Sequence, residues 1–185
     1  MSGPGSGIMF CLVSRGTTIL AKYSTIAGNV SEVCDVLLAK ISPSDERMSL
    51  VAGEYNCHYV NDSGIITMAI ADPTFDRAVM FEFLEKVSNS FKIQYGSRAN
   101  SAIAYAMNAE FCLVIANEMK RYNDPVKIDV LQNEVKQVKG IMSKNIEELV
   151  NRGERLDLLV EKTENLDTNS VTFRTRSRSL QRAMW

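Results

Sequence analysis

The front of the chain begins with hydrophobic runs at strand spacing and continues with a helical repeat. Two β-rich runs, Ile8–Ser14 and Thr17–Tyr23, flank Arg15-Gly16 and predict a β-hairpin. Apolar residues then recur at helical spacing over Val30–Ile41, and the predicted helix ends before Ser42-Pro43. The chain therefore opens in the order strand, strand, helix.

Three further strands and two helices follow in the same region. Turn residues at positions 61–64 separate the last two strands, and Thr74 is the predicted cap of the first of these helices. The predicted elements are strands over Arg47–Ala52, Tyr55–Val60 and Gly64–Ile70, then helices from Thr74 to about Ile93 and from about Ser101 to Lys120. This order, ββαβββαα, predicts an α+β domain in which helices pack on an antiparallel sheet.

The last third of the chain has the periodicity of a coiled coil. Steps of three and four residues from Ile128 pick out sixteen positions, of which eleven are apolar. A helix of this length is about 80 Å long at about 1.5 Å per residue. No surface of the front domain can bury the whole seam, so the helix needs partner helices and should be largely disordered alone. The predicted seam consists of Ile128, Leu131, Val135, Val138, Met142, Asn145, Leu149, Arg152, Leu156, Leu159, Thr163, Leu166, Ser170, Phe173, Ser177 and Leu180.

The two regions meet near the last proline, Pro125. Twelve of the fourteen aromatic residues precede it, and the residue before a proline is disfavoured in a helix. The glycine-rich start of the chain resembles an expression linker and contributes nothing to the predicted fold. The predicted organisation is a leader over residues 1–7, a domain over 8–122, a linker over 123–127, a coiled coil over 128–180 and a short stub over 181–185.

Arg152 lies at the centre of the seam, between Leu149 and Leu156. A guanidinium stripped of water there costs several kcal/mol unless hydrogen-bond acceptors satisfy it. Amide carbonyls of neighbouring helices can do so and would fix the register of the bundle. The alternative is that the side chain reaches the edge of the bundle and keeps its charge in water.

Composition and charge exclude several functional classes. The 185 residues carry a net charge of -1, which argues against a nucleic-acid binder, and no apolar run approaches the length of a membrane helix. His58 is the only histidine, the four cysteines are far apart, and no phosphate-binding or metal-binding motif occurs. We therefore predict a soluble chain without enzymatic activity, cofactor or metal, with its cysteines in the core.

Three motifs of the front domain and one of the tail resemble the longin-type R-SNARE family. The front motifs are Arg15-Gly-Thr-Thr-Ile-Leu-Ala-Lys22, Tyr95-Gly-Ser-Arg98 and Tyr105-Ala-Met-Asn108. The tail motif begins at Val150-Asn-Arg152-Gly-Glu-Arg-Leu156. The resemblance spans about residues 8–185 and has both modules in the family's order.

The resemblance implies a fold and a function. The longin domain is profilin-like, with a five-stranded antiparallel sheet, one helix on one face and two on the other. The R-SNARE helix zips with three Q-SNARE helices, syntaxin-like and synaptosome-associated in type, into a parallel bundle that fuses vesicle and target membranes. Arg152 would form hydrogen bonds with three glutamine side chains, which the partner helices supply. Family members continue into a C-terminal membrane anchor that is absent here, and they act in exocytosis and on late endosomal or lysosomal membranes.

The end of the chain is basic. Arg174, Arg176, Arg178 and Arg182 precede Trp185 without an intervening acidic residue. Such a stretch suits an anionic lipid surface, at about 1 kcal/mol per charge. The alternative is an exposed helix face without a lipid role.

The resemblance also implies a regulatory groove in the longin domain. Met48 and Leu50 occupy its groove positions, while Ile141 and Ile146 match SNARE-motif positions that enter it. The groove would hold either this chain's own motif, in a closed and autoinhibited state, or a trafficking adaptor. The alternative is that both isoleucines pack at the edge of the SNARE bundle.

A scaffold is the competing interpretation of the whole chain. In it, a longin-like module carries a homo-oligomeric coiled coil and binds adaptors. A homodimer would favour apolar residues or asparagine at the seam positions of Arg152, Thr163, Ser170 and Ser177. These residues therefore favour the fusion function over the scaffold.

Overall fold

A computed structural model describes residues 7–42, 47–124, 141–148 and 160–161. The strands are β1 (Ile8–Arg15), β2 (Thr18–Ser24), β3 (Ala27–Gly28), β4 (Arg47–Ala52), β5 (Tyr55–Asp62), β6 (Ile65–Ala71), β7 (Met142–Asn145) and β8 (Val160–Glu161). The helices are α1 (Val30–Lys40), α2 (Arg77–Tyr95) and α3 (Asn108–Tyr122), with 3-10 turns at Gly96–Asn100 and Ile146–Glu148. The predicted α+β class of the front domain is confirmed, and its predicted elements occur in the predicted order, with the two-residue strand β3 added before α1.

The main sheet separates two hydrophobic cores. Its order is β2-β1-β6-β5-β4-β7, and the first five strands pair antiparallel throughout. Helix α1 covers one face, where Val33, Leu37 and Leu38 pack with Met48 and Leu50 in what we term the α1 core. Helices α2 and α3 cover the other face and form the α2/α3 core with side chains of β1, β5 and β6. The sheet thus lies between one helix and two.

The α2/α3 core contains a cluster of aromatic rings. Phe91 stacks edge to face on Phe111 at 5.1 Å between ring centroids, and Tyr95 contacts both rings. Edge-to-face pairs of this kind stabilise a core beyond their burial. The cluster joins α2 to α3 and keeps both helices on the same face of the sheet.

Two helix starts differ from the predictions. Helix α2 begins at Arg77, because the Asp76 carboxylate caps it by accepting the Val79 N–H at 3.0 Å. Helix α3 begins at Asn108 and not near Ser101. The intervening loop instead covers the outer edge of β2, where the Tyr105 N–H donates to the Ile19 carbonyl at 2.7 Å. Covering a sheet edge satisfies backbone groups that a longer helix would leave without partners.

The domain boundaries also differ slightly from the prediction. Gly7, assigned to the leader, is buried, and its N–H donates to the Asp72 carboxylate. Asn123, assigned to the linker, accepts the Ile8 N–H at 2.7 Å and donates to the Ile8 carbonyl at 2.9 Å. Both residues therefore belong to the folded domain, because they join the start of β1 to the rest of the fold.

Replacing Asn123 by alanine is expected to lower the free energy of unfolding by about 2 kcal/mol. The substitution removes two hydrogen bonds, each of which contributes about 1 kcal/mol. Urea denaturation of the whole chain measures the loss, with Asn89→Ala on the exposed side of α2 as the control. Equal stability of the two variants would mean that the Asn123 contacts contribute nothing.

The cysteines are thiols, and three of them are in the core as predicted. Cys11, Cys34 and Cys57 are buried, whereas Cys112 on α3 is partly exposed. Burial raises the pKa of the Cys57 thiol to about 12, and it raises the pKa values of Cys11 and Cys34 as well. These three side chains act as small apolar residues and are protected from modification.

Candidate functional site

The candidate site is the edge strand β4 and the distant segment that pairs with it. Strand β4 binds β5 antiparallel on one side and β7 parallel on the other. In the second ladder, Met48 pairs with Met142 and Val51 pairs with Asn145. β7 is therefore a sixth strand added to the five-stranded sheet that the family resemblance implied. Such strand addition uses backbone groups that an edge strand leaves exposed.

The conformation of this segment differs from the predicted helix. Met142 and Asn145 are seam positions, yet they lie in a strand, and the Met142 side chain is 50% exposed. Without partner helices, a seam residue has no apolar surface to cover it in a helix. The backbone groups of the segment gain partners on β4 instead. One segment cannot be a strand of this sheet and a helix of a bundle at the same time.

Two isoleucines flank β7 and lie on opposite faces of the sheet. Ile146 is only 6% exposed and belongs to the α1 core together with Met48 and Leu50, both fully buried. Ile141 is partly buried and packs against the α2/α3 core. The resemblance implied that both enter one groove; Ile146 lies beside Met48 and Leu50, whereas Ile141 lies on the other face of the sheet. Side chains an odd number of positions apart in an extended segment point to opposite faces.

Polar side chains support β4 on the α2 side. The Ser49 hydroxyl lies 2.8 Å from His58 Nδ1, and both residues are buried. The His58 ring packs edge to face on Phe81 at 5.7 Å between ring centroids. Burial, with a smaller contribution from the charge of Arg77, lowers the pKa of His58 to about 4. The imidazole is therefore neutral near pH 7.

A second ladder joins the tail to the domain near the start of α1. Strand β8 pairs antiparallel with β3, with Ala27 opposite Glu161 and Gly28 opposite Val160. The sequence analysis did not predict this contact. Because such a ladder is built from backbone groups, no side-chain pattern marks it.

The other predicted tail residues lie outside the described residues. They are the seam positions Ile128, Leu131, Val135, Val138, Leu149, Arg152, Leu156, Leu159, Thr163, Leu166, Ser170, Phe173, Ser177 and Leu180, and the membrane-proximal residues Arg174, Arg176, Arg178, Arg182 and Trp185. In the described ranges, no helix has the length and hydrophobicity needed to cross a membrane. Among the same residues, no three His, Cys, Asp or Glu side chains are grouped as metal ligands.

Comparison with known proteins gives two adjacent matches. The family model described as "Longin: Regulated-SNARE-like domain" matches residues 20–115, and the one described as "Synaptobrevin" matches residues 127–185. The chain is 44% identical over 180 residues to vesicle-associated membrane protein 7 of Mus musculus, which covers 96% of this chain and 82% of that protein. Vesicle-associated membrane protein 714 of Arabidopsis thaliana is 37% identical over 183 residues, or 96% of this chain and 83% of that protein.

Proposed function

Because the chain belongs to the longin-type R-SNARE family, we propose that it zips with three Q-SNARE helices into a parallel four-helix bundle that drives membrane fusion. The family acts in vesicle transport and is not enzymatic, and both statements hold for this chain.

The partners that we propose are syntaxin-like and synaptosome-associated-type helices. The sixteen seam positions would face them, and the central Arg152 would donate hydrogen bonds to glutamine carbonyls of the three partner helices. The seam over residues 128–180 supports this assignment, because it retains one heptad register throughout. A guanidinium in such a seam is favourable only where acceptors surround it.

We further propose that the longin domain inhibits its own SNARE motif. The observation that supports this proposal is the parallel pairing of β7 with β4, together with the burial of Ile146 beside Met48 and Leu50. A bundle helix requires residues 142–146 to leave the sheet. The closed state therefore competes with assembly for the same residues, and any partner that binds only the open state shifts the equilibrium.

The same groove is the proposed binding surface for trafficking adaptors. An adaptor that inserts an apolar side chain in place of Ile146 would release the motif. We propose further that the chain acts on the cytoplasmic face of late endosomal or lysosomal membranes and in exocytosis. Arg174, Arg176, Arg178 and Arg182 would then lie near anionic lipid headgroups, with Trp185 at the interface.

Mixing the chain with three Q-SNARE motifs tests the proposed bundle. We expect a gain in helical circular dichroism and one complex that contains all four chains. Replacing the three partner glutamines by leucine should weaken assembly, and Arg152→Leu should restore it, because the uncompensated charge is then removed. A stable helical homodimer without partners would contradict the proposal and favour the scaffold.

A further inference from the structure

The tail contacts the longin domain at two separate places. Strand β7, on β4, ends at Asn145, and β8, on β3, begins at Val160. Arg152 lies between these two ladders in the sequence. We propose that Ala27–Gly28 is a second docking site for the chain's own SNARE motif, and that it blocks the half of the bundle beyond Arg152, which the β4 groove does not hold. This inference rests on the proposed function.

The backbone at Gly28 is specialised for this contact. Its φ angle is +121°, a conformation that residues with a side chain rarely adopt. Gly28 pairs with Val160 in the ladder between β3 and β8, two residues before α1 begins at Val30. Glycine therefore allows the chain to present a strand edge and then enter a helix within two residues.

The second ladder restricts the part of the motif that the first one leaves unconstrained. A strand advances about 3.3 Å per residue and a helix about 1.5 Å, so a ladder residue cannot join a bundle helix. With only β7 held, a helix can still form from Leu149 to the end of the chain. With β8 held as well, that helix is interrupted between the seam positions Leu159 and Thr163.

The two ladders also reinforce each other. When either one opens, the other keeps its detached strand close to the domain, so rebinding is intramolecular and fast. Full release requires both ladders to be open together. Partner helices that displace β7 alone would therefore meet a half-open chain, in which the residues around Val160 are still held.

A disulfide across the second ladder tests the proposal. Directly opposed residues of an antiparallel ladder are separated by about 4.5–5.5 Å between Cα atoms, which suits a disulfide. Ala27→Cys with Glu161→Cys, in a chain with Cys112→Ser, should oxidise readily. The oxidised chain should assemble with three Q-SNARE motifs at least tenfold more slowly than the reduced chain. Reduction should restore the rate.

The control pairs Glu161→Cys with Thr17→Cys, an exposed position beyond the other end of β2. Equal disulfide yields for the two pairs, or equal assembly rates of the locked and reduced chains, would overturn the proposal. Gly28→Val, which leaves the SNARE motif unchanged, should speed assembly, whereas Gly16→Val in the β1–β2 turn should not.

The outcomes separate this inference from the proposed function. If the reduced chain and Gly28→Val both fail to assemble with the Q-SNARE motifs, the proposed function fails. In that case, the disulfide yield still shows whether the second ladder forms. If assembly occurs but the disulfide between positions 27 and 161 does not slow it, only the proposal of a second docking site is wrong.

Discussion

Replacing Ile146 by serine is expected to raise the rate of assembly with Q-SNARE motifs by about 30- to 140-fold. Ile146 is 6% exposed in the α1 core, and burying such a side chain contributes about 2–3 kcal/mol. Its loss would shift the equilibrium from the closed to the open state by that amount, at about 1.4 kcal/mol per tenfold change. Because only the open state assembles, the rate follows its population.

The measurement is a time course of complex formation by gel filtration or fluorescence, using the whole chain. Ile141→Ser is the matched control, since Ile141 is only partly buried and lies on the other face of the sheet. We expect a clearly smaller acceleration for it. Both variants should assemble like the wild type in a fragment of residues 126–185, where no longin domain is present.

Two results would contradict this prediction. If Ile146→Ser assembles at the wild-type rate, the groove does not limit assembly. If the fragments differ as the whole chains do, the effect comes from the bundle itself, and Ile146 packs at its edge.

Acidification is expected to lower the free energy of unfolding through His58 by about 3 kcal/mol between pH 6.5 and 4. The pKa of the buried imidazole is lowered to about 4, whereas an exposed histidine titrates near pH 6.5. Above pH 6.5 both states are neutral and the contribution to stability is complete. Below pH 6.5, His58 binds a proton in the unfolded state but not in the folded state. The free energy of unfolding therefore falls until the pH reaches the pKa of His58 in the folded state.

Urea denaturation at several pH values measures this loss. Acidic side chains contribute their own pH dependence, so the informative quantity is the difference between the wild type and His58→Gln. The variant keeps a hydrogen-bonding group beside Ser49 but does not titrate. Parallel curves for the two proteins would mean that His58 has the same pKa in the folded and unfolded states, and that burial does not lower it.

A loss of the Ser49–His58 pair would also affect the regulatory edge. Ser49 lies on β4 between its ladder neighbours, His58 on β5 and Ser143 on β7, so one member of the buried pair is adjacent to the docked segment in the sheet. We expect the closed state to weaken together with the fold on acidification. Circular dichroism of the whole chain in the same buffers would detect both changes.

Much of the front domain follows from local patterns. The spacing of apolar residues predicted β1, β2 and α1 closely, because each element buries one face in a core and repeats accordingly. The start of α3 could not be predicted from the spacing of apolar residues. Residues between Ser101 and Asn108 have helical propensity, but the edge of β2 needs hydrogen-bond partners, and tertiary contacts outweigh propensity there.

Family motifs extended the sequence prediction to the regulatory surface, but only in part. They predicted one groove for Met48, Leu50 and Ile146, and these side chains belong to the same α1 core. They placed Ile141 there as well, and the structure puts it on the opposite face. The segment between the two isoleucines is an extended strand in the structure, and a strand distributes side chains over two faces differently from a helix.

By itself, the sequence determined the α+β class, the order of the front elements and a tail whose seam must find partners. Only the tertiary structure decided that residues 142–145 complete the sheet and that Val160–Glu161 meet Ala27–Gly28. The physical reason is that side chains carry the periodic signal, whereas these two ladders form between backbone groups. Every residue has such groups, so their pairing depends on which strand edges the folded domain leaves without a neighbouring strand.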